Sequence, residues 1–420
     1  MIKIEYVCHA CLLININGKR VLTDPWIMGS CFANCLWIYP PPKKSADEIG
    51  KVDYIYFSHG HEDHFQIESI NEILKKNRNT KVVIPSSKNN WFLRTVNKVG
   101  FKNIITLEHN MEFKINKHDS FRLFINDQGE FDSSLLIKSN KDEIFIQTDN
   151  IMSAKESKRV GKENNIFASF LMPYATGIFP GLYDFKTDLM RKLAKNKEDK
   201  SLKYLAQLAK NLNSKLNIPY ANDLCYFGDL YYLNHLHSFD KNDVKKFLNQ
   251  KKINSLIMQP GDMIILENRK LIKKVINQVK IDRIKDLSFY TKSMEKLYNQ
   301  KKYEEIHFSK KKFTKSFQIF KSKIDQIKKK WKFGNFKAEW KIKTKDKNLY
   351  FNHYINTKNN KSDADIKIEI DDYRIQNLVE KFYPMRFLSF HNGGIKIKRK
   401  TSYLTNKEKF YFDHLESMTF

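Results

Sequence analysis

Residues 58–64 read Ser-His-Gly-His-Glu-Asp-His, which puts four side chains able to hold a divalent cation, His59, His61, Asp63 and His64, within six positions. Imidazole nitrogen and carboxylate oxygen are the donors that zinc, manganese and iron accept. His59 and His61 stand two apart and can point the same way, while Asp63 and His64 fold back towards a second point. The pattern therefore suits one or two divalent ions. A pair of ions also needs a carboxylate from elsewhere in the chain to lie between them. Asp149 is the best candidate, because it ends an apolar run, Ile144-Phe145-Ile146-Gln147-Thr148, much as Asp63 follows its own.

The elements that position these groups are legible on either side. Val52 to Phe57 is apolar, β-branched or aromatic, and reads as a buried strand delivering the histidine turn. Asn17-Gly18 between apolar runs signals a hairpin near the N-terminus. Its second strand ends in Thr23-Asp24-Pro25-Trp26, and the irregular stretch Met28 to Lys44 reads as a loop lining a cleft. A helix over Ile67 to Asn77 and a strand over Lys81 to Pro85 start an α/β alternation. Strands follow at Asn103 to Leu107, Glu112 to Ile115, Phe121 to Asn126, Ser134 to Ile137, Ile144 to Thr148 and Phe167 to Pro173. A long helix spans Phe185 to Leu212, and a strand lies at Leu216 to Pro219. Glu267 to about Lys330 reads as charged helix. Beyond it, alternating strands at Ala338 to Lys343, Leu349 to Ile355 and Ile366 to Ile370 lead into a helix at Asp371 to Lys381.

His-x-His-x-Asp-His at the end of a strand resembles the metallo-β-lactamase superfamily. The resemblance implies a four-layer αβ/βα sandwich over residues 1–265. A helical extension over 266–335 and a small α+β domain over 336–420 follow. It makes Asp149 the bridging ligand, and it implies two further ligand histidines that this chain lacks at the matching places. The first belongs between 122 and 132, where only Asp127 and Asp132 stand; His118 precedes the strand and is misplaced. A carboxylate there hardens the site and lets manganese or iron compete with zinc. The second belongs beyond Phe167 to Pro173, where Tyr174 stands, with His235 and His237 as further options. His9, in a His-Ala at a strand end, and Asp24, which in one branch orients a ligand histidine, fit the cleft. Asn222 and Asp223 are in reach of substrate.

A longer ordered set is similar to the metallo-β-lactamase-like part of the CMP-N-acetylneuraminic acid hydroxylase family. It comprises Thr23-Asp24-Pro25-Trp26 with Gly29-Ser30, the histidine turn, Asp132-Ser133-Ser134, Tyr174-Ala175-Thr176-Gly177, Ile218-Pro219-Tyr220-Ala221 and Gln259-Pro260-Gly261-Asp262. That family also carries a Rieske domain, whose paired Cys-x-His ligands do not occur in this sequence. Oxygen insertion by this chain alone is therefore not expected. The C-terminal part resembles, faintly, a sterol-carrier-type module; a small α+β domain used for dimerisation or as a lid is the better reading of the same residues.

Composition sets the remaining bounds. The 420 residues are 41 % hydrophobic, enough for more than one core, and carry a formal charge of +28. Such charge favours acidic partners, namely nucleic acid, anionic lipid headgroups or phosphorylated substrates, although lysine dispersed along the chain is the better account; the resemblance adds a nucleotide sugar as the small anionic substrate. Five cysteines argue against a disulfide framework, and a zinc site built on Cys8, Cys11, Cys31 and Cys35 is a minor alternative. No signal peptide and no 18-residue apolar run are evident, so a cytoplasmic protein with no membrane span is expected. The oligomeric state stays open. The expected function is a metal-dependent hydrolase. Metal-bound hydroxide, oriented by Asp63 or Asp149, would act on a phosphorylated or nucleotide-linked sugar in surface-glycan metabolism. A nuclease of the same fold and a metal-depleted scaffold or binding subunit are the alternatives.

Overall fold

The computed structural model describes residues 1–420 apart from 33, 35, 88–89, 128–131, 174–179, 182, 184, 237–239, 277–282, 305–308, 345–346, 357–363, 381–394, 400–404 and 417–420. Two sheets dominate its first two thirds. The first has eight strands in the order Lys270–Val275, Met263–Glu267, Ile2–Cys8, Cys11–Ile16, Lys19–Thr23, Tyr54–Tyr56, Lys81–Pro85 and Asn103–Leu107. The second has six, in the order Leu216–Pro219, Ala168–Leu171, Asp142–Ile146, Ser133–Ser139, Asp119–Ile125 and Glu112–Lys114. Short connections join the antiparallel strands that are consecutive in the chain, and Ile2–Cys8 also pairs antiparallel with the distant Met263–Glu267. Parallel neighbours need a crossover, and helices Ile67–Asn77, Trp91–Val99, Ala154–Glu163 and Thr187–Leu212 supply it.

Period-two alternation sorts the strands into layers. Tyr54 and Tyr56 point into a core shared with Phe121, Leu135, Ile137, Ile144, Ile146 and Phe170 of the facing sheet. Ile55 and Phe57 point the other way, onto Ile70 and Ile73 of helix Ile67–Asn77 and Phe92 and Val96 of helix Trp91–Val99. On the outside of the second sheet, Phe124, Leu136 and Phe145 meet Val160 of Ala154–Glu163 and Leu205, Leu208 and Leu212 of Thr187–Leu212. The result is the four-layer αβ/βα sandwich.

Three features differ from the sequence reading. Lys270–Val275 is an edge strand of the first sheet, where helix was expected from Glu267, so that sheet runs past the boundary placed at 265. Asn268 and Arg269 both have positive φ, the conformation of a two-residue hairpin turn, and Asp142 accepts hydrogen bonds from both of their backbone N–H groups at 3.0 and 2.6 Å. The stretch Met28 to Lys44 contains two short strands, Ser30–Cys31 and Leu36–Ile38, which form a small sheet with Leu224–Tyr226. Trp37 of that sheet packs with Phe227, Leu287, Tyr290 and Tyr298, so helix Arg283–Glu304 lies over it.

The C-terminal sheet has the order Asn348–Ile355, Phe336–Lys343, Ile366–Asp371 and Ile395–Arg399. Phe336, Ala338, Trp340 and Ile342 alternate inward against Phe313, Phe320 and Ile324 of helix Lys310–Asp325 and Ile375 and Leu378 of helix Asp372–Glu380. It is fastened to the sandwich: Tyr183 forms a backbone bridge with Ile397. Arg399, ion-paired with Glu408 at 2.8 Å and buried, lies over the Tyr183 ring at 5.0 Å. No helix among the described residues is long and apolar enough to cross a membrane.

Candidate metal centre

Strand Tyr54–Tyr56 ends at Phe57, and the chain then turns sharply through Ser58 to His64. Gly60 permits the turn, since a Cβ there would lie 2.7 Å from the Trp91 ring. The orientation of the imidazoles is set from behind. Asp24 Oδ1 accepts from the Ser58 backbone N–H at 2.7 Å, and Asp24 Oδ2 accepts from Ser58 Oγ at 2.6 Å and from His64 Nδ1 at 2.8 Å. A carboxylate can only accept, so Nδ1 of His64 carries a proton, and Nε2 is the nitrogen that faces the cluster, where a cation would displace the second proton that the carboxylates favour. Ser58 Oγ, already donating to Asp24, accepts from His59 Nδ1 at 2.9 Å, which turns the His59 Nε2 lone pair towards His61 Nδ1, 2.8 Å away. Each buried ring is thus held in the tautomer a cation requires.

Seven donor groups converge. His59, His61 and Asp132 form one set, His9, Asp63 and His64 another, and Asp149 approaches both. His59 Nε2 lies 2.8 Å from His61 Nδ1, 3.7 Å from Asp132 Oδ1 and 4.0 Å from Asp149 Oδ2. In the other set, Asp63 Oδ2 lies 3.6 Å from His9 Nε2 and 3.8 Å from His64 Nε2, which is 3.3 Å from Asp149 Oδ1. Both ring nitrogens of His9, Oδ1 of Asp63 and Nε2 of His64 are buried with no hydrogen-bond partner among the described residues. Stranding four polar atoms in this way is costly unless something charged sits between them. Divalent cations fit that description, and the nitrogen and oxygen donors suit them.

The electrostatics agree. Burial pushes the Asp149 carboxyl up, but the imidazoles of His64, His61 and His9 outweigh it and hold the group down at about 2. Burial likewise opposes ionisation of Asp63, and His64 and His9 pull it below the usual carboxylate range. Burial disfavours a charged His64, yet Asp149, Asp63 and Asp24 together raise it well above an ordinary histidine. Three carboxylates thus generate a field that draws positive charge to this point. Asp149, with 29 % of its side chain accessible, and His61 are partly exposed, so the cluster opens to solvent there.

Residues 3–129 match a protein-family model described as a β-lactamase superfamily domain. That part of the chain is a β-lactamase superfamily domain. The domain's curated relatives include cytidine monophosphate-N-acetylneuraminic acid hydroxylases. The zebrafish protein (Danio rerio) is 25 % identical over 227 residues, covering 52 % of this chain and 38 % of its own length. The mouse protein (Mus musculus) is 24 % identical over 273 residues, covering 63 % and 45 %. The chain therefore spans well under half the length of the curated relatives it matches. Among solved structures, a metallo hydrolase from Ignicoccus hospitalis overlaps 63 % of this chain and 98 % of its own at 14 % identity, with a TM-score of 0.43. CmlA, a diiron β-hydroxylase from Streptomyces venezuelae, overlaps 63 % and 54 % at 15 % identity, with a TM-score of 0.46.

The structure brings His59, His61, Asp63 and His64 of the β-lactamase superfamily domain together with Asp149, which lies beyond the matched residues, and sets Asp24 behind them. It moves His9 forward, from a cleft position into the ligand cluster. Asp127 stands apart and is corrected: its carboxylate accepts from the Ser153 backbone N–H at 3.1 Å, beside the N-cap of helix Ala154–Glu163. Asp132 joins the cluster instead, because it immediately precedes strand Ser133–Ser139, whose first residue donates from Oγ to the Ser58 carbonyl at 2.7 Å. His235 is exposed and packs edge-on to Tyr231 outside the cluster. Tyr174 and His237 lie outside the described residues. Asn222 is half-buried, and Asp223 turns inward to Tyr6 and the His9 backbone N–H rather than towards an incoming molecule. Ser58 was missed, although a hydroxyl beside the first histidine was the available signal. Cys8, Cys11, Cys31 and Cys225 are buried and form no disulfide among the described residues; Cys35 lies outside them.

Proposed function

We propose that this protein is a metal-dependent hydrolase of a small anionic substrate, of the phosphorylated or nucleotide-linked sugar class. The convergence of His59, His61 and Asp132 on one side of Asp149 and His9, Asp63 and His64 on the other carries this reading. When bound, a pair of divalent ions supplies Lewis acidity and lowers the pKa of coordinated water. Everything else falls to the chain. His59, His61 and Asp132 would hold one cation, His9, Asp63 and His64 the other, with Asp149 shared. Asp24 and Ser58 keep the imidazole protons on the far side of the rings. A carboxyl held at about 2 is a weak proton acceptor. Asp149 therefore serves to hold a cation and to orient water by accepting its hydrogen bond. The net charge of +28 favours approach of an anion, and the names of the curated relatives point to a nucleotide sugar.

One observation favours a second reading, oxygen chemistry on a redox metal. An oxygen donor, Asp132, stands beside the two histidines, which suits iron or manganese better than zinc; the relatives are hydroxylases by name. A single experiment separates the two. The protein, purified without chelators, is analysed for metals and incubated with CMP- and UDP-linked sugars and sugar phosphates. Products are read by mass spectrometry with and without a reductant and oxygen. Bond cleavage without reductant, lost in the His59→Ala/His61→Ala variant, supports hydrolysis. Gain of one oxygen atom only with reductant supports the second reading, and neither product together with no bound metal overturns both.

A further inference from the structure

His9 reaches the cluster from a two-residue turn between strands Ile2–Cys8 and Cys11–Ile16, with φ of 45°. A histidine enters that left-handed region only when its surroundings hold it there. What holds it is a buried polar group built from three distant parts of the chain. Asp223 Oδ2 accepts from the His9 backbone N–H at 3.2 Å and from the Tyr6 hydroxyl in a short hydrogen bond. That hydroxyl is also 3.0 Å from the His9 carbonyl. The same carbonyl accepts from the Ala221 N–H at 3.0 Å. Asp223 Oδ1 is paired with Lys241 Nζ at 2.7 Å, and the ammonium lies 4.5 Å from the centre of the Tyr6 ring. Asp223 and Lys241 side chains are 3 % and 17 % exposed. Both polar groups of the His9 backbone are therefore tied down, while both nitrogens of its ring have no hydrogen-bond partner among the described residues. The ring is set edge-on to Trp26 at 5.2 Å and to His64 at 5.5 Å.

We propose that Asp223, neutralised by Lys241 and bridged by Tyr6, is the positioning residue that aims His9 at the second cation position. This rests on the metal reading above and adds to it a device that sets the occupancy of one position alone. Asp223 touches neither cation nor substrate. It fixes the backbone from which His9 projects, and the group reaches from the first strand to the start of helix Lys241–Gln250. The His59, His61 and Asp132 set makes none of these contacts.

The test is metal stoichiometry and affinity on the full chain, loaded with cobalt(II) as probe. Elemental analysis and the visible absorption of the bound ion are the readouts. Wild type is expected to take up two equivalents. Asp223→Asn presents an N–H either to Lys241 or to the donors at Tyr6 and His9, and is expected to weaken the second equivalent at least tenfold while the first is unchanged, as in His9→Ala. The pair Asp223→Asn/Lys241→Met removes both charges and leaves the amide oxygen to face Tyr6 and His9, so it is expected to regain the second equivalent. Tyr6→Phe, which deletes one hydroxyl, serves if Asp223→Asn does not fold and is expected to weaken the same equivalent. Two equivalents at wild-type affinity in Asp223→Asn, or in Tyr6→Phe where that variant serves, overturn the positioning role and leave the metal reading standing. Loss of both equivalents together also overturns it, by showing general damage. Fewer than two equivalents in wild type sinks both.

Discussion

At the scale of single residues, the centre depends on backbone conformations that side-chain chemistry does not announce. His9, Asp24, Thr148 and Ala221 all have positive φ, and none is glycine. Such strain gathers where surrounding structure over-determines it, commonly at functional sites. Thr148 is held by its N–H to the Tyr220 hydroxyl at 2.8 Å and its Oγ1 to the Ser133 carbonyl at 2.6 Å, and so delivers Asp149. The histidine turn and Asp149 were legible because ligand types followed apolar strands. Asp132 was not separable from Asp127, since both lie between the same two strands and only the register of Ser133–Ser139 chooses. Two variants measure that choice. Asp132→Ala is expected to remove one equivalent of metal, whereas Asp127→Ala keeps full metal content and loses about 1 kcal/mol of stability at most with its tie to Ser153. Asp24→Asn should weaken metal binding by about 10- to 100-fold, because it misorients His64 and Ser58 rather than deleting a ligand; isothermal titration with zinc reads this directly.

At the scale of elements, strands with apolar periodicity and the helix Ile67–Asn77 stood out in sequence, because alternation and the 3.6-residue repeat report burial directly. What escaped was set by long-range pairing. Strand Lys270–Val275 is exposed along its length and rich in lysine, so it carries no burial pattern and exists because Met263–Glu267 offers it an edge. Helix Ala154–Glu163, also missed, leans on Thr187–Leu212 at Gly161, where an added Cβ would lie 2.0 Å from the Asn211 carbonyl oxygen. Gly161→Ala must push the two helices apart despite its better helix propensity. A loss of about 1–3 kcal/mol is expected, read from the urea midpoint; an unchanged midpoint would show that the contact relaxes freely.

At the scale of the whole molecule, the C-terminal sheet has its own acid sensitivity. His353 is buried beside Trp340 and Tyr411, and burial, with Lys328 nearby, lowers it to about 4 against the pull of Asp325. The unfolded chain binds this proton near pH 6.5 and the folded one only near 4. Stability is therefore full above 6.5 and falls as pH drops through that window, by up to about 3 kcal/mol. His353→Gln should flatten the difference between urea midpoints at pH 7.5 and pH 5, with Trp340 fluorescence as the reporter.

The bridge between Tyr183 and Ile397, with Arg399 laid over the same tyrosine, makes the first and last portions of the polypeptide thermodynamic partners. A protease cut in the intervening helices would leave two fragments that co-migrate on a sizing column. Calorimetry of the intact chain would record one endotherm, and removing the tail would cost the sandwich some of its own melting temperature.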